Sequence, residues 1–285
     1  MTLIIAKICH GGVRVESDST ISDPNVVSNR NSIFSGVLKS IILNPSIAVS
    51  FAGDVEVAQS AIEKLFKENI FDITNVKKVL LSFNIESNYT TDFLVTSLEN
   101  QPLLYKVQNG KIDVTNQSFW IGDIEGFNEF QREFVPNLKS LEPNKILESQ
   151  TKAFDKVIEK GIPGIGGFRI TFHRTEYGLQ YLLQLSTYSG RPVTIRTSQN
   201  QSGNVILPIP FGDASTGAYS QNYLISKDPY KSAIGIHFHY GNFGALFCPR
   251  VSRKIIVVSN VNDREFIDTI KRNYGVELTG MIFKG

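Results

Sequence analysis

Short apolar runs punctuated by Gly, Pro and Asn alternate along the chain with stretches whose apolar residues recur every three or four positions. Thr2 to Cys9 reads as a strand, Gly11-Gly12 as a tight turn, and Val13 to Ser17 as a second strand running into Asp18 and Ser19. A hairpin about that turn brings Asp18 back alongside Thr2 to Ile5. A third strand, Leu38 to Leu43, holds Lys39; after the turn Asn44-Pro45-Ser46 a fourth runs from Ile47 to Ala52 and ends at Gly53-Asp54. Three polar features thus fall at strand ends.

Beyond Gly53 the period changes. Asp54 is a good N-cap for a helix through about Lys67, with Val55, Ala58, Ile62 and Leu65 on one face. A second helical stretch, Val76 to Phe83, precedes a meander of Asp92 to Ser97, Leu103 to Val107 and, past Gln108-Asn109-Gly110, Ile112 to Val114. Phe119 to Asp123 leads into a helix from about Glu125 to Phe134, and a longer one from Pro143 to Lys160 buries Ile146, Ala153, Phe154, Val157 and Ile158. Strands follow at Phe168 to Phe172, Leu179 to Leu185, Val193 to Arg196, Val205 to Leu207, Ile234 to Tyr240, Phe243 to Phe247 and Ile255 to Val258, with a last helix from about Asp263 to Asn273. Strands, a helical pair and more strands predict an α+β fold of two antiparallel sheets packed face to face with helices outside.

With 285 residues and 41% hydrophobic content the chain can bury a sizeable core, as one large domain or one domain plus an appendage. The formal net charge of +2, without a basic stripe interleaved with aromatics, gives no case for nucleic acid. Two cysteines, Cys9 and Cys248, make neither a disulfide framework nor a thiolate zinc cluster, which points to a reducing cytoplasm. The first apolar run is short, interrupted by Lys7 and lacks a basic leader, and no window reaches the length of a membrane span, so neither a signal peptide nor a membrane partner is expected.

Candidate chemistry begins at Thr2. If Met1 is removed, Thr2 carries a hydroxyl nucleophile and a free α-amine on one residue, and an amine with a pKa of roughly 7.7 to 8.0 can take the hydroxyl proton near neutral pH. Thr2, the Gly11-Gly12 turn, Ser17-Asp18-Ser19 and the run Lys39 to Gly53, with its Asn44-Pro45 turn and Ala52-Gly53 ending, together resemble the proteasome-type N-terminal nucleophile (Ntn) hydrolases, which include proteasomal β subunits and their bacterial relatives. The resemblance implies a four-layer αββα sandwich and an active site formed by Thr2, Asp18, Lys39 and Gly53. In those roles a Lys39 ammonium holds the amine unprotonated, Asp18 pairs with and orients Lys39, and the Gly53 N–H approaches a developing oxyanion. It further implies hydrolysis of peptide or other amide bonds, as in a threonine protease, with no cofactor, and assembly through the helical layers into a homo-oligomer.

The chain departs from the family pattern twice. Where the family has a serine at a strand-to-helix step, this chain has Asp123 after Gly122; the carboxylate either bonds the terminal amine or caps the following helix, and capping is the expected role. Where the family places an aspartate and a serine before a Gly-Gly pair, Gly166-Gly167 is preceded by Ile162-Pro163-Gly164-Ile165. Missing supporting groups leave open a second reading, a catalytically silent proteasome-like subunit acting as a structural or interaction protein. Gly164 to Gly167 precedes a strand, which argues against a dinucleotide loop. By the resemblance Phe51 corresponds to a position that shapes the family's specificity pocket; read from the residues alone it belongs equally well to the core.

The resemblance fades after about Thr187, so residues 1–187 are expected as the Ntn core and 188–285 as a strand-rich extension, either part of the same domain or a small subdomain. In that extension His237 and His239 stand two apart on a strand and share a face, a spacing able to bind a metal. His10 and His173 are distant in sequence and Cys248 is isolated, so no third ligand is evident and no metal is expected there.

Overall fold

The computed structural model describes residues 2–19, 36–138, 142–183, 185–189, 218–239 and 242–280. The strands expected at Val193 to Arg196 and Val205 to Leu207 lie outside these residues, as does Met1. The described chain is a mixed α+β protein with five helices and three antiparallel sheets. No helix among the described residues is long and apolar enough to cross a membrane.

Contacts divide the chain into two compact units, one of Met1–Leu182, Pro229–Ser232 and Cys248–Ile255, the other of Leu183–Asp228, Ala233–Phe247 and Ile256–Gly285. In the first unit, β1 (Leu3–Cys9) and β2 (Gly12–Ser17) form the opening hairpin, followed by β3 (Ser40–Asn44), β4 (Ile47–Gly53), α1 (Val55–Lys67) and α2 (Ile73–Glu86). The meander β5 (Thr91–Ser97), β6 (Leu103–Gln108) and β7 (Lys111–Thr115) leads to β8 (Ser118–Gly122), α3 (Ile124–Asn137), α4 (Pro143–Glu159), β9 (Ile170–Thr175) and β10 (Gly178–Tyr181). One sheet has the order β10-β9-β2-β1-β8 and the other β3-β4-β5-β6-β7. Strand β1 contacts β4, and β8 contacts β4, β5 and β6, so the two sheets meet face to face. Helix α4 packs on β1 and β2, with α3 against α4, while α1 and α2 cover β4 to β7. Apolar side chains fill the layer between the first sheet and its helices: Leu3 and Ile5 of β1 meet Phe130, Phe154 and Val157.

The hairpin turn lies one residue earlier than the Gly-Gly pair suggests. Cys9 pairs with Gly12, leaving His10 and Gly11 as the two-residue loop, with φ of 48° and 78°. Positive φ at both central positions is the type I′ geometry whose twist matches two right-twisted strands, and a histidine tolerates it. Moving the turn by one residue moves the partner of Asp18 from Ile5 to Leu3, and Asp18 N donates to Leu3 O at 3.4 Å.

Local signals account for several boundaries. Asp54 accepts from the N–H groups of Glu56 and Val57 at the start of α1. Asn44 Oδ1 accepts from Ser46 N at 2.7 Å and Ile47 N at 2.8 Å, closing the β3–β4 turn around Pro45. Lys39 stands one residue before β3, and its carbonyl still accepts from Phe51 N at 3.0 Å.

In the second unit β11 (Leu185–Ser189), β12 (Ala218–Ser226), β13 (Ile234–Phe238), β14 (Phe243–Phe247) and β15 (Ile256–Ser259) are neighbours in that order, and β16 (Leu278–Thr279) also pairs with β12. Helix α5 (Asp263–Tyr274) starts from a capping box of Asn262 and Glu265 and packs on β14 and β16. Phe266 lies where a Cβ on Gly235 or Gly244 would stand, so both strands present bare backbone to its ring.

Candidate functional site

Asp18 is completely buried just past the end of β2 and is the hub of the candidate site. Its Oδ2 accepts from Lys39 Nζ at 2.8 Å and from Gly166 N at 3.4 Å, and its Oδ1 from Leu3 N at 3.1 Å. The last bond fixes the backbone immediately after Thr2. Lys39 is 1% exposed, so the pair is dry. Burial outweighs the pairing in both partners: it pulls the Lys39 ammonium below its ordinary range and pushes the Asp18 carboxyl above its own, with the mutual attraction opposing each shift. A lysine displaced in that direction exchanges protons more readily near neutral pH than a solvated one.

Thr2 itself is 5% exposed. Its carbonyl accepts from Asp123 N at 2.7 Å, and β1 pairs with β8 so that Leu3 faces Gly122. Gly122 has φ of 107°, and a Cβ there would lie 1.9 Å from Thr2 O. Only glycine allows β8 to approach the Thr2 backbone this closely. The Asp123 side chain accepts from Gly126 N at 2.8 Å, the helix-capping arrangement at the start of α3.

Gly53 ends β4 opposite Thr91 and is exposed; with φ of 114° and Thr90 O 2.0 Å from a would-be Cβ, it too admits only glycine. The hydrogen bonds described above tie Asp18, Lys39 and the residue after Thr2 into one group. None of these bonds involves Gly53, which lies two residues beyond Phe51, whose N–H binds the Lys39 carbonyl. Phe51 is buried at 1% exposure and packs as core.

Two contributors escape a reading of residue types. Gly166 donates its N–H to Asp18 and accepts from Ser19 N at 3.2 Å, and Phe168 N donates to Ser19 Oγ at 2.7 Å. Backbone groups of the Gly166–Phe168 loop thus meet Asp18 and Ser19 beside the segment where this chain lacks the aspartate and serine of the family it resembles. The Gly166-Gly167 pair was the available signal, but its partners lie nearly 150 residues upstream. Gly122 was legible only as a strand ending.

Taken together the arrangement offers a buried carboxylate–ammonium pair fixed beside a threonine at the head of a strand, with an exposed backbone turn at the end of β4. No protein-family model matches this chain, and no curated protein does.

Proposed function

We propose that the chain is a threonine-dependent Ntn hydrolase that cleaves peptide or other amide bonds once the residue before Thr2 is removed. The observation that carries this reading is the buried Lys39–Asp18 pair whose carboxylate also holds Leu3 N, next to Thr2. The face-to-face sheets with α3 and α4 on one side and α1 and α2 on the other support the four-layer αββα sandwich that goes with it.

In this mechanism the Thr2 hydroxyl oxygen attacks the substrate carbonyl carbon while its proton passes to the Thr2 α-amine. The Lys39 ammonium keeps that amine unprotonated, and Asp18 orients Lys39. The Gly53 N–H is assigned to stabilise the oxyanion, a type of contribution worth about 2.7 to 4 kcal/mol per donor. The C–N bond then breaks, the amine returns its proton to the leaving nitrogen, and water hydrolyses the ester left on Thr2. Thr2→Ala should abolish amide turnover in a screen of peptide and small amide substrates while leaving the circular dichroism spectrum unchanged. Undiminished turnover in that variant contradicts the mechanism.

The burial of Thr2 favours a second reading, a proteasome-like subunit without activity that acts as a structural or interaction protein and assembles with copies of itself. A chain that keeps the residue before Thr2 and gives no adduct with a threonine-directed electrophile selects it.

A further inference from the structure

The second unit holds a group of side chains that the Thr2 chemistry does not use. His237 on β13, His239 just beyond it and Asp263 at the first position of α5 bring one ligand atom each to within 4.8 Å of one another. The two histidines are two residues apart, His237 in the strand and His239 one residue past its end; Asp263 supplies the third donor that the sequence did not reveal. His237 and Asp263 are buried, at 1% and 4% exposure, and His239 is exposed.

The orientation of the His237 ring points to a cation. Its Nε2 lies 2.8 Å from Val261 O, and because a carbonyl only accepts, Nε2 must carry the hydrogen. In the neutral ring this leaves the lone pair on Nδ1, which is in direct contact with Asp263 Oδ1. Two lone-pair-bearing atoms in a buried contact repel unless a positive centre lies between them. A proton joins two atoms; the presence of a third donor, His239, within the same 4.8 Å makes the group suited to an ion that takes several ligands. The outer contacts are those of a ligating set. Val261 O fixes the His237 tautomer, and Asn222, directly opposite His237 in the β12–β13 ladder, donates Nδ2 to Asp263 Oδ2 at 3.4 Å.

We propose that His237, His239 and Asp263 form a binding site for a divalent first-row transition ion, independent of the chemistry proposed at Thr2. Two imidazoles and a carboxylate suit Zn²⁺ or Co²⁺, whereas Ca²⁺ and Mg²⁺ require oxygen donors. Bound tetrahedrally, the ion sets its ligand atoms about 3.3 Å apart, given metal–ligand bonds of about 2.0 to 2.1 Å. His237 and Asp263 then part slightly, and His239 closes from its exposed position. A fourth coordination position is left for water.

The test is titration of the chelator-treated full chain with Zn²⁺ by calorimetry and with Co²⁺ by visible absorption. One equivalent of each ion should bind, with ligand-field bands for Co²⁺. His239→Ala, an exposed change that leaves the fold intact, should weaken Zn²⁺ binding at least tenfold, and Asp263→Asn should weaken it at least as much. Absence of stoichiometric binding overturns the proposal, as does Zn²⁺ binding whose affinity His239→Ala leaves unchanged.

Discussion

Glu16 and Asp18 lie two residues apart, both without solvent exposure, yet they are equipped in opposite ways. Asp18 receives an ammonium and two backbone N–H groups. Glu16 receives the Thr151 hydroxyl at 2.5 Å, has Arg169 Nη1 only at 4.0 Å, and leaves Oε2 without a hydrogen-bond partner among the described residues. Burial raises both carboxyls, and for Glu16 it reaches about 7 against the opposition of Arg169, Thr151 and Arg14. Asp18 is furnished to hold a charge beside Thr2, whereas Glu16 is furnished to hold a proton between β2 and α4. Burial sets the cost of ionisation, and the number of donors decides which group bears it.

The sharpest way to break this contrast is Lys39→Met. It leaves the Asp18 carboxylate buried without its counter-charge and should cost about 3 to 5 kcal/mol in chemical denaturation, most of it recovered in the double variant Asp18→Asn/Lys39→Met. A cost under about 1 kcal/mol means the pair does not carry charge.

Glu16→Gln should act in the opposite sense and only at higher pH. The folded state binds the Glu16 proton up to about pH 7 while the unfolded chain releases it near 4.5, so between these values the native protein holds more protons and rising pH favours unfolding. Stability contributed at this site is therefore full below pH 4.5, falls through that window and levels off above 7. At about 1.4 kcal/mol per tenfold change in proton affinity the fall is about 3 kcal/mol. The glutamine variant should match the parent at pH 4 and exceed it at pH 8 by up to that amount; equal stabilities at pH 8 contradict a Glu16 proton held up to about pH 7 in the folded state.

A smaller effect is expected at Gly122→Ala, where positive φ and the approach to Thr2 O combine; about 2 kcal/mol is the expected loss, with Thr2 chemistry impaired beyond what that instability explains. Thr151→Val, which removes the hydroxyl from Glu16, should change stability by about 1 kcal/mol and extend the pH-dependent fall further upward in pH. A transition that stays in place tells against the Thr151 hydroxyl as a partner of the ionised form.

The site was legible in the sequence to the extent that it is local. The Asn44 turn, the Asp54 and Asp123 caps and the alternation of β1 announce themselves within a few residues. The pairing of Asp18 with the head of β1 followed from hairpin symmetry, although the loop fell at His10-Gly11 because left-handed backbone is open to a histidine as well as to glycine. What the sequence could not offer were partners defined by backbone atoms or by distant elements. Gly166 N–H reaches Asp18 across 148 residues, and Asp263 read only as a helix start until the fold set it against His237. An N–H group has no residue-type signature, and a carboxylate at a first helical turn is too common to mark a ligand.

The central claim, an activated nucleophile at Thr2, is tested most directly by intact-mass spectrometry of protein with an untagged N-terminus incubated with a β-lactone, the adduct being located by fragmentation. The mechanism predicts loss of Met1 and a single adduct on Thr2 that Lys39→Arg slows. Retained Met1 with no adduct contradicts it and leaves the pair beside Thr2 as a structural element.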